Sequence, residues 1–232
     1  MYNGRSKNKL IILSLICCNL LGAKLSFGQN IKLNANTLHP VQVSMSLEKL
    51  DGKDVVRVRK DPSVIEVDQP TFVRINGISF KNGVIKVKVL SRLLKNAPEL
   101  ARGFIGIAFR INELNSKFEC IYIRPTNGRA EDQIRRNHSI QYFSYPDYPY
   151  TRLRKESAEQ YETHADMGLN EWTQLRIEVK DQRATLYLNH NKYATLVVND
   201  LKHGADTSGA IGLFVDVGTE GFFRDLQILP DN

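Results

Sequence analysis

The chain is 232 residues long, 42% hydrophobic and 25% charged, with a formal charge of +7 from 32 basic and 25 acidic side chains. Four of the basic residues (Arg5, Lys7, Lys9, Lys24) and none of the acids fall within residues 1–28, so without that segment 28 basic residues face 25 acidic ones and the charge is +3. So mild a balance does not imply a nucleic-acid partner, and none is expected.

The N-terminal segment has the layout of a secretory signal. Arg5, Lys7 and Lys9 form a positive start, and residues 10–21 are then almost wholly apolar, broken only by Ser14 and Asn19. About a dozen apolar residues are too few to span a bilayer, which takes roughly twenty, but they suit the apolar region of a signal peptide. Small residues at Ser26 and Gly28 place the expected cut before Gln29. A lipoprotein anchored through Cys17 or Cys18 is the weaker alternative, because Ser14, Leu15 and Ile16 lack the small residues usual before a lipidated Cys. Cleavage at 28 leaves 204 of the 232 residues and Cys120 as the single cysteine, so the mature monomer has no internal disulfide. The expected location is periplasmic or extracellular, with no membrane span in the mature chain.

Residues 29–232 contain no linker, repeat or low-complexity tract and are expected to form one domain. Strand-like runs follow one another at 54–59, 71–75, 84–90, 104–110, 118–124, 139–143, 172–180, 184–189, 193–198, 210–215 and 223–228. Turn chemistry punctuates them at Asp51-Gly52, Asn76-Gly77, Asn82-Gly83, 189–191 and Ser208-Gly209, and one helical turn is expected within 91–102. Ten or more strands at this spacing predict an all-β, two-sheet antiparallel β-sandwich of the jelly-roll type. Parity assigns Ile85, Val87, Val89, Leu175, Ile177, Val179, Leu186, Leu188, Ile211, Leu213 and Val215 to the core.

Two neighbouring strands carry a second expectation. In 104–110, placing Ile105, Ile107 and Phe109 inward turns Gly106, Ala108 and Arg110 outward; in 118–124, Ile121 and Ile123 inward turn Cys120, Tyr122 and Arg124 outward. If these strands pair, their outer face is a floor of small residues with room above it. The alternative is an ordinary solvated sheet face.

Polar chemistry concentrates just beyond that floor. The stretch 124–138 (RPTNGRAEDQIRRNH) holds Arg124, Arg129, Arg135 and Arg136 among Asn127, Gln133, Asn137 and His138. Guanidinium forks and amides suit carboxylates, sulfates and paired sugar hydroxyls, although a solvated loop pinned by Arg–carboxylate pairs has the same composition. Residues 141–150 add Tyr142, Phe143, Tyr145, Tyr148 and Tyr150, which either stack on sugar rings or pin the loop to the sandwich. Among the acid–base residues Glu119, Asp132, His138, Asp147, Glu162, His164 and Asp166, position favours Asp132 and His138 as catalytic candidates. Glu119 has inward parity and is expected to be a buried partner of an Arg. The five His are scattered without metal-ligand spacing, and there is no phosphate loop or Gly-x-Ser-x-Gly elbow. No metal or other cofactor is expected; a Ca²⁺ held by loop carboxylates leaves no short motif and stays open. Cys120 is expected to be an inert apolar residue.

The order of segments 103–110 (GFIGIAFR), 118–124 (FECIYIR), 171–179 (EWTQLRIEV) and 184–189 (ATLYLN), closed by 209–215 and 223–228 (FRDLQI), resembles the concanavalin A-like jelly rolls of the 3-keto-disaccharide hydrolase domain family. The resemblance runs from Thr71 to Leu229 and places the chain beside laminin G-like modules, lectins and glucanases. The Glu-x-Asp-x-Glu strand of laminarinase-type glucanases is absent, which weighs against a retaining mechanism with two closely set carboxylates. The leading expectation is a secreted carbohydrate-binding jelly roll for an acidic or modified glycan, lined by Arg110, Tyr122, Arg124, Gln141 and Phe143 with Asn127, Arg129, Asp132, Gln133, Arg135, Arg136, Asn137 and His138 from the following loop. A glycoside hydrolase acting on a 3-keto-disaccharide, as the resemblance implies, and a laminin G-like adhesion module remain alternatives. Nothing in the sequence names the glycan or the oligomeric state.

Overall fold

The computed structural model describes residue 1 and residues 29–231; the signal peptide assigned to residues 1–28 and its cleavage lie outside the described residues. The strands in chain order are β1 (Gln29–Asn30), β2 (Leu38–Val41), β3 (Val43–Leu50), β4 (Lys53–Lys60), β5 (Phe72–Phe80), β6 (Gly83–Leu93), β7 (Ile105–Ile111) and β8 (Phe118–Ile123). They continue with β9 (Ile140–Tyr145), β10 (Glu162–Thr163), β11 (Thr173–Lys180), β12 (Arg183–Leu188), β13 (Leu196–Val198), β14 (Gly209–Val215) and β15 (Thr219–Pro230). Three short helices, α1 (Pro125–Gly128), α2 (Gln133–Asn137) and α3 (Tyr150–Glu156), lie in the connections around β9.

These strands form two antiparallel sheets packed face to face, a β-sandwich of jelly-roll type. The first sheet runs β13-β12-β11-β6-β15-β4-β3, with β1 also pairing β15; the second runs β10-β9-β8-β7-β14-β5-β2. Strand β11 alternates buried and half-buried residues, and β6 does so through Val89, as expected for strands with one face on the core. Every residue assigned to the core by parity is buried in one continuous apolar cluster between the sheets. Among the described residues no helix is long and apolar enough to cross a membrane.

The differences from the sequence reading are local and have physical causes. Residues 91–102 hold no helical turn: β6 runs on to Leu93 and the chain then turns. Asn76-Gly77 does not end a strand, because β5 passes through it as an irregularity, with Gly77 at φ 78° and the pairing with β14 shifting register opposite it. Tyr193 precedes β13 rather than belonging to it. The helices are four to seven residues long, too short to print a 3.6-residue period on the sequence.

Candidate functional site

The outer face of the second sheet is defined by its cross-strand rows. Gly221 of β15 packs so closely on Ile105 and Val215 that a Cβ there would stand 3.0 Å and 2.6 Å from them, which fixes those two residues as facing the first sheet. Their neighbours Gly106 and Phe214 therefore face outward, and the register extends that row from Phe72 through Phe214, Gly106, Tyr122 and Gln141 to Glu162. The next outward row holds Gly212, Ala108, Cys120 and Phe143.

The floor expected from parity exists, but it is filled. Tyr122 packs its ring 5.8 Å from Phe104 and Phe143 and 5.6 Å from Phe214, and Phe118 sits 5.2 Å from both Phe72 and Tyr145. Gly106, Ala108 and Gly212 leave height for those rings, not for a ligand. Each buried ring contributes roughly 2–3 kcal/mol, so closing the face over its own aromatics outweighs leaving it open. Phe143 and Cys120 are fully buried here, and burial pushes the Cys120 thiol well above its ordinary range, as suits an inert residue. Arg110 leaves the row altogether. It takes φ 55° beside a register shift between β7 and β14, and donates to the carbonyls of Lys81, Asp181 and Gly204 and to Asn82 Oδ1, at the end of β7 away from Arg124. Glu119 faces the interior as expected, but its bonds come from the Tyr142 hydroxyl (2.7 Å) and the His203 amide (2.8 Å), not from an Arg.

At the β8–β9–β10 edge the outer face turns polar. The Glu162 carboxylate, 4% exposed, takes both Nε (2.9 Å) and Nη2 (2.6 Å) of Arg154 from α3. His138 Nδ1 stands 2.8 Å from Glu162 Oε2, off the line of a straight hydrogen bond, and Arg124 Nη1 stands 3.7 Å from the same oxygen. Arg124, 5% exposed, also donates to Tyr122 Oη (2.9 Å), Gln141 Oε1 (3.2 Å) and the His138 carbonyl (3.1 Å). The Tyr150 ring lies against both guanidiniums, 5.4 Å from Arg124 and 5.2 Å from Arg154. His138 at 19% and Arg154 at 36% side-chain exposure give the cluster its contact with solvent.

A second layer lies beneath. Asp68 accepts from the Tyr150 amide (2.7 Å) and the Tyr122 hydroxyl (3.4 Å), and its own amide donates to Asp216 Oδ2 (2.9 Å), while Lys60 Nζ holds Asp216 Oδ1 at 2.6 Å. Burial raises the Asp68 carboxyl to about 7, with the Asp216 charge adding to the rise and the Tyr150 bond and Arg124 opposing it. Burial likewise lowers His138; the Glu162 charge opposes, and Arg154 and Arg124 reinforce the fall. A neutral imidazole with Nδ1–H turned to Glu162 leaves Nε2 as the basic nitrogen.

Of the residues singled out from sequence, the structure brings Tyr122, Arg124, Gln141 and His138 into this cluster. Asn127 and Arg135 stand behind it: Asn127 donates to the His138 carbonyl (2.9 Å) and accepts from Arg135 Nε (2.9 Å). The others lie elsewhere. Asp132 caps α2 through the Arg135 amide, exposed Gln133 bonds half-buried Asn137, Arg136 bonds the Ala130 carbonyl, and exposed Arg129 pairs with Asp166 and Glu171. The sequence does not single out Arg154 or Asp68, and Glu162 is one of seven acid–base candidates. The pattern 150–154 offers one clue, two basic residues two apart after a Tyr; a single Asp before Gln-Pro reads as a turn residue and offers none. Among the described residues no three His, Cys, Asp or Glu side chains come together as a metal site.

The fold is the jelly roll that carbohydrate-binding and glycosidase-like proteins share. The family model described as 3-keto-alpha-glucoside-1,2-lyase-like domain matches residues 79–229, and the chain belongs to that family. No curated protein matches the sequence. Among solved structures, the carbohydrate binding module CBM66 from Bacillus subtilis aligns at 12% identity over 82% of this chain and 93% of that one, with a TM-score of 0.56. A putative glycosyl hydrolase from Parabacteroides distasonis aligns at 14% identity over 84% of this chain and the whole of that one, with a TM-score of 0.50. At such identities these two establish a shared fold.

Proposed function

We propose that the mature chain, residues 29–232, is a secreted single-domain protein that recognises an oxidised or acidic saccharide at the Arg124–His138–Arg154–Glu162 cluster. The observation that carries this reading is the bidentate Arg154–Glu162 pair seated on the Tyr150 ring and flanked by Arg124 and His138. A planar fork beside an aromatic face matches the alternation of hydroxyl edges and apolar faces on a pyranose. Two guanidiniums against the one buried carboxylate of Glu162 leave an excess of positive charge, which favours a carboxylate or carbonyl over a plain hydroxyl. Calorimetric titration with neutral, uronic and 3-keto disaccharides tests it. Arg154→Ala is expected to weaken binding by about tenfold, the loss of one charge-assisted contact. Absence of saccharide binding, or binding untouched by both Arg154→Ala and Arg124→Ala, overturns the reading.

One observation favours a catalytic extension, the lowered pKa of His138 beside Glu162. In a 3-keto-glucoside the proton on C2 is acidified by the adjacent carbonyl. A base removing it would form the enolate, which expels the C1 substituent as its alcohol, protonated by water or the base, and leaves a C1–C2 double bond; Arg154, the more exposed guanidinium, would steady the enolate oxygen. His138→Gln should then abolish turnover of a 3-keto-glucoside while leaving its binding within a few-fold; cleavage that survives this change removes His138 from the mechanism.

A further inference from the structure

The first sheet has a cavity of its own on the face turned away from the second. Strand β15 pairs with β4 as far as Phe223 and with β1 from Gln227, and between them it bulges, with Asp225 at φ 55°. The β3–β4 hairpin and the N-terminal strand diverge on either side of the bulge, and a groove of about 850 Å³ opens between them. Its floor is polar. Lys88 lies opposite both Arg224 and Gln174, and Lys86 opposite Gln227, all on the face away from the core residues Val87 and Val89.

Five cations and three carboxylates line this groove. Lys49 is paired with Asp54 at 2.9 Å and Lys88 with Asp225 at 3.1 Å, but among the described residues Lys32 and Lys86 form no ion pair. Arg224 is the most informative. Its side chain is 13% exposed, and its Nε, which makes no hydrogen bond among the described residues, meets Asp225 only in a loose ion pair at 3.8 Å. Its guanidinium lies 3.8 Å from the ring centre of Trp172, the single Trp of the chain. With one distant carboxylate and an indole as its neighbours, the guanidinium keeps its remaining N–H groups for an acceptor entering the groove it lines.

We propose that this groove is a second saccharide site, distinct from the Arg154–Glu162 cluster, and that it takes a segment of an acidic polysaccharide. Arg224, Lys86 and Lys32 would meet its carboxylates or sulfates, while Gln174, Gln227 and Asp54 would meet its hydroxyls. The lining is mixed: its cations suit the anionic groups of an acidic saccharide, and its three carboxylates and two glutamines suit the hydroxyls that a nucleic-acid backbone offers far less densely. The volume also falls within the range of small-ligand clefts, roughly 300–1,000 Å³.

The test is titration of the mature protein with hexagalacturonate, a heparin hexasaccharide, cellohexaose and an oligothymidylate. Binding of either acidic hexasaccharide, weakened by salt, is expected; the tighter of the two assigns carboxylate or sulfate. The double variant Lys32→Glu/Lys86→Glu, on side chains that are not core, should weaken it by about tenfold, and Lys86→Gln by less. In the Arg154→Ala background, where the first site is weakened, the same charge reversal should still weaken the hexasaccharide about tenfold, and Lys32→Glu/Lys86→Glu should leave disaccharide binding at the first site unchanged, so failure of the first site and failure of this one are read separately. Binding of neither acidic probe, equal binding of cellohexaose or the oligothymidylate, indifference to the charge reversal, or disappearance of its effect in the Arg154→Ala background would overturn the proposal.

Discussion

Asp68 is 2% exposed, and the charges around its carboxyl are Arg124 on one side and Asp216, already held by Lys60, on the other. The folded protein therefore keeps its proton up to about pH 7, whereas an unfolded Asp releases it near 3.8. Between those values the native state binds more protons than the unfolded chain, so the stabilisation is complete below about pH 4, falls as the pH rises and levels off above about pH 7. The whole effect is at most about 4 kcal/mol. Urea denaturation at intervals from pH 4 to 8 should show this decline, and Asp68→Asn, which keeps the shape and one acceptor for the Tyr150 amide, should flatten it. His138 contributes with the opposite sign: its lowered pKa favours the folded state above the ordinary imidazole range and is lost as the pH falls. Identical slopes for wild type and Asp68→Asn would mean that Asp68 is ionised in the fold.

At the scale of strands, the close approach of β7 and β8 decides what the outer face can hold. A Cβ on Gly106 would stand 2.2 Å from the Ile121 carbonyl oxygen and 2.5 Å from the Tyr122 Cα, both backbone atoms that cannot step aside. On Gly212 it would meet the Phe72 ring at 2.9 Å, a side chain with some freedom to tilt. Gly106→Ala should therefore cost more than Gly212→Ala, by about 1–3 kcal/mol in chemical denaturation; an equal cost would place the constraint in the rings. The same strands mark the limits of the sequence. Alternation in 104–110 and 118–124 was enough to sort Gly106, Ala108, Cys120 and Tyr122 onto one face, because side-chain direction has a strict period of two. It could not say that Tyr122 and Phe143 would fill that face, since covering it depends on α3 and on the turn bearing Asp68, both distant in sequence. Arg110 defeated parity for a different reason, a left-handed residue at a register shift. Glu162 meets Arg124 and Arg154 through a two-residue strand, too short for any pattern to announce.

Across the molecule, two buried cations close opposite ends of the sandwich by different means. Arg110 gathers the β5–β6 and β11–β12 turns and the loop at Gly204 through neutral carbonyls, beside the start of β14. Lys60 ends β4 of the first sheet and reaches Asp216, just beyond β14 of the second, with 5% and 3% of the two side chains exposed. It also donates to the Glu66 carbonyl, and Asp216 accepts from the amides of Asp68 and Val217, so the pair organises the turn that carries Asp68 under Tyr122 and Tyr150. A buried charge left alone is far more costly than a buried pair removed together. Lys60→Met should accordingly destabilise the protein by about 3–5 kcal/mol, because it strands the Asp216 carboxylate. Adding Asp216→Asn, which removes that charge but keeps an acceptor for the two amides, should recover part of the loss. Because Asp216 also raises the Asp68 pKa, the double variant should flatten part of the decline with pH described above. Strictly additive losses from the two single substitutions would show that packing of the Lys60 stem, rather than the ion pair between the sheets, is what the first substitution removes.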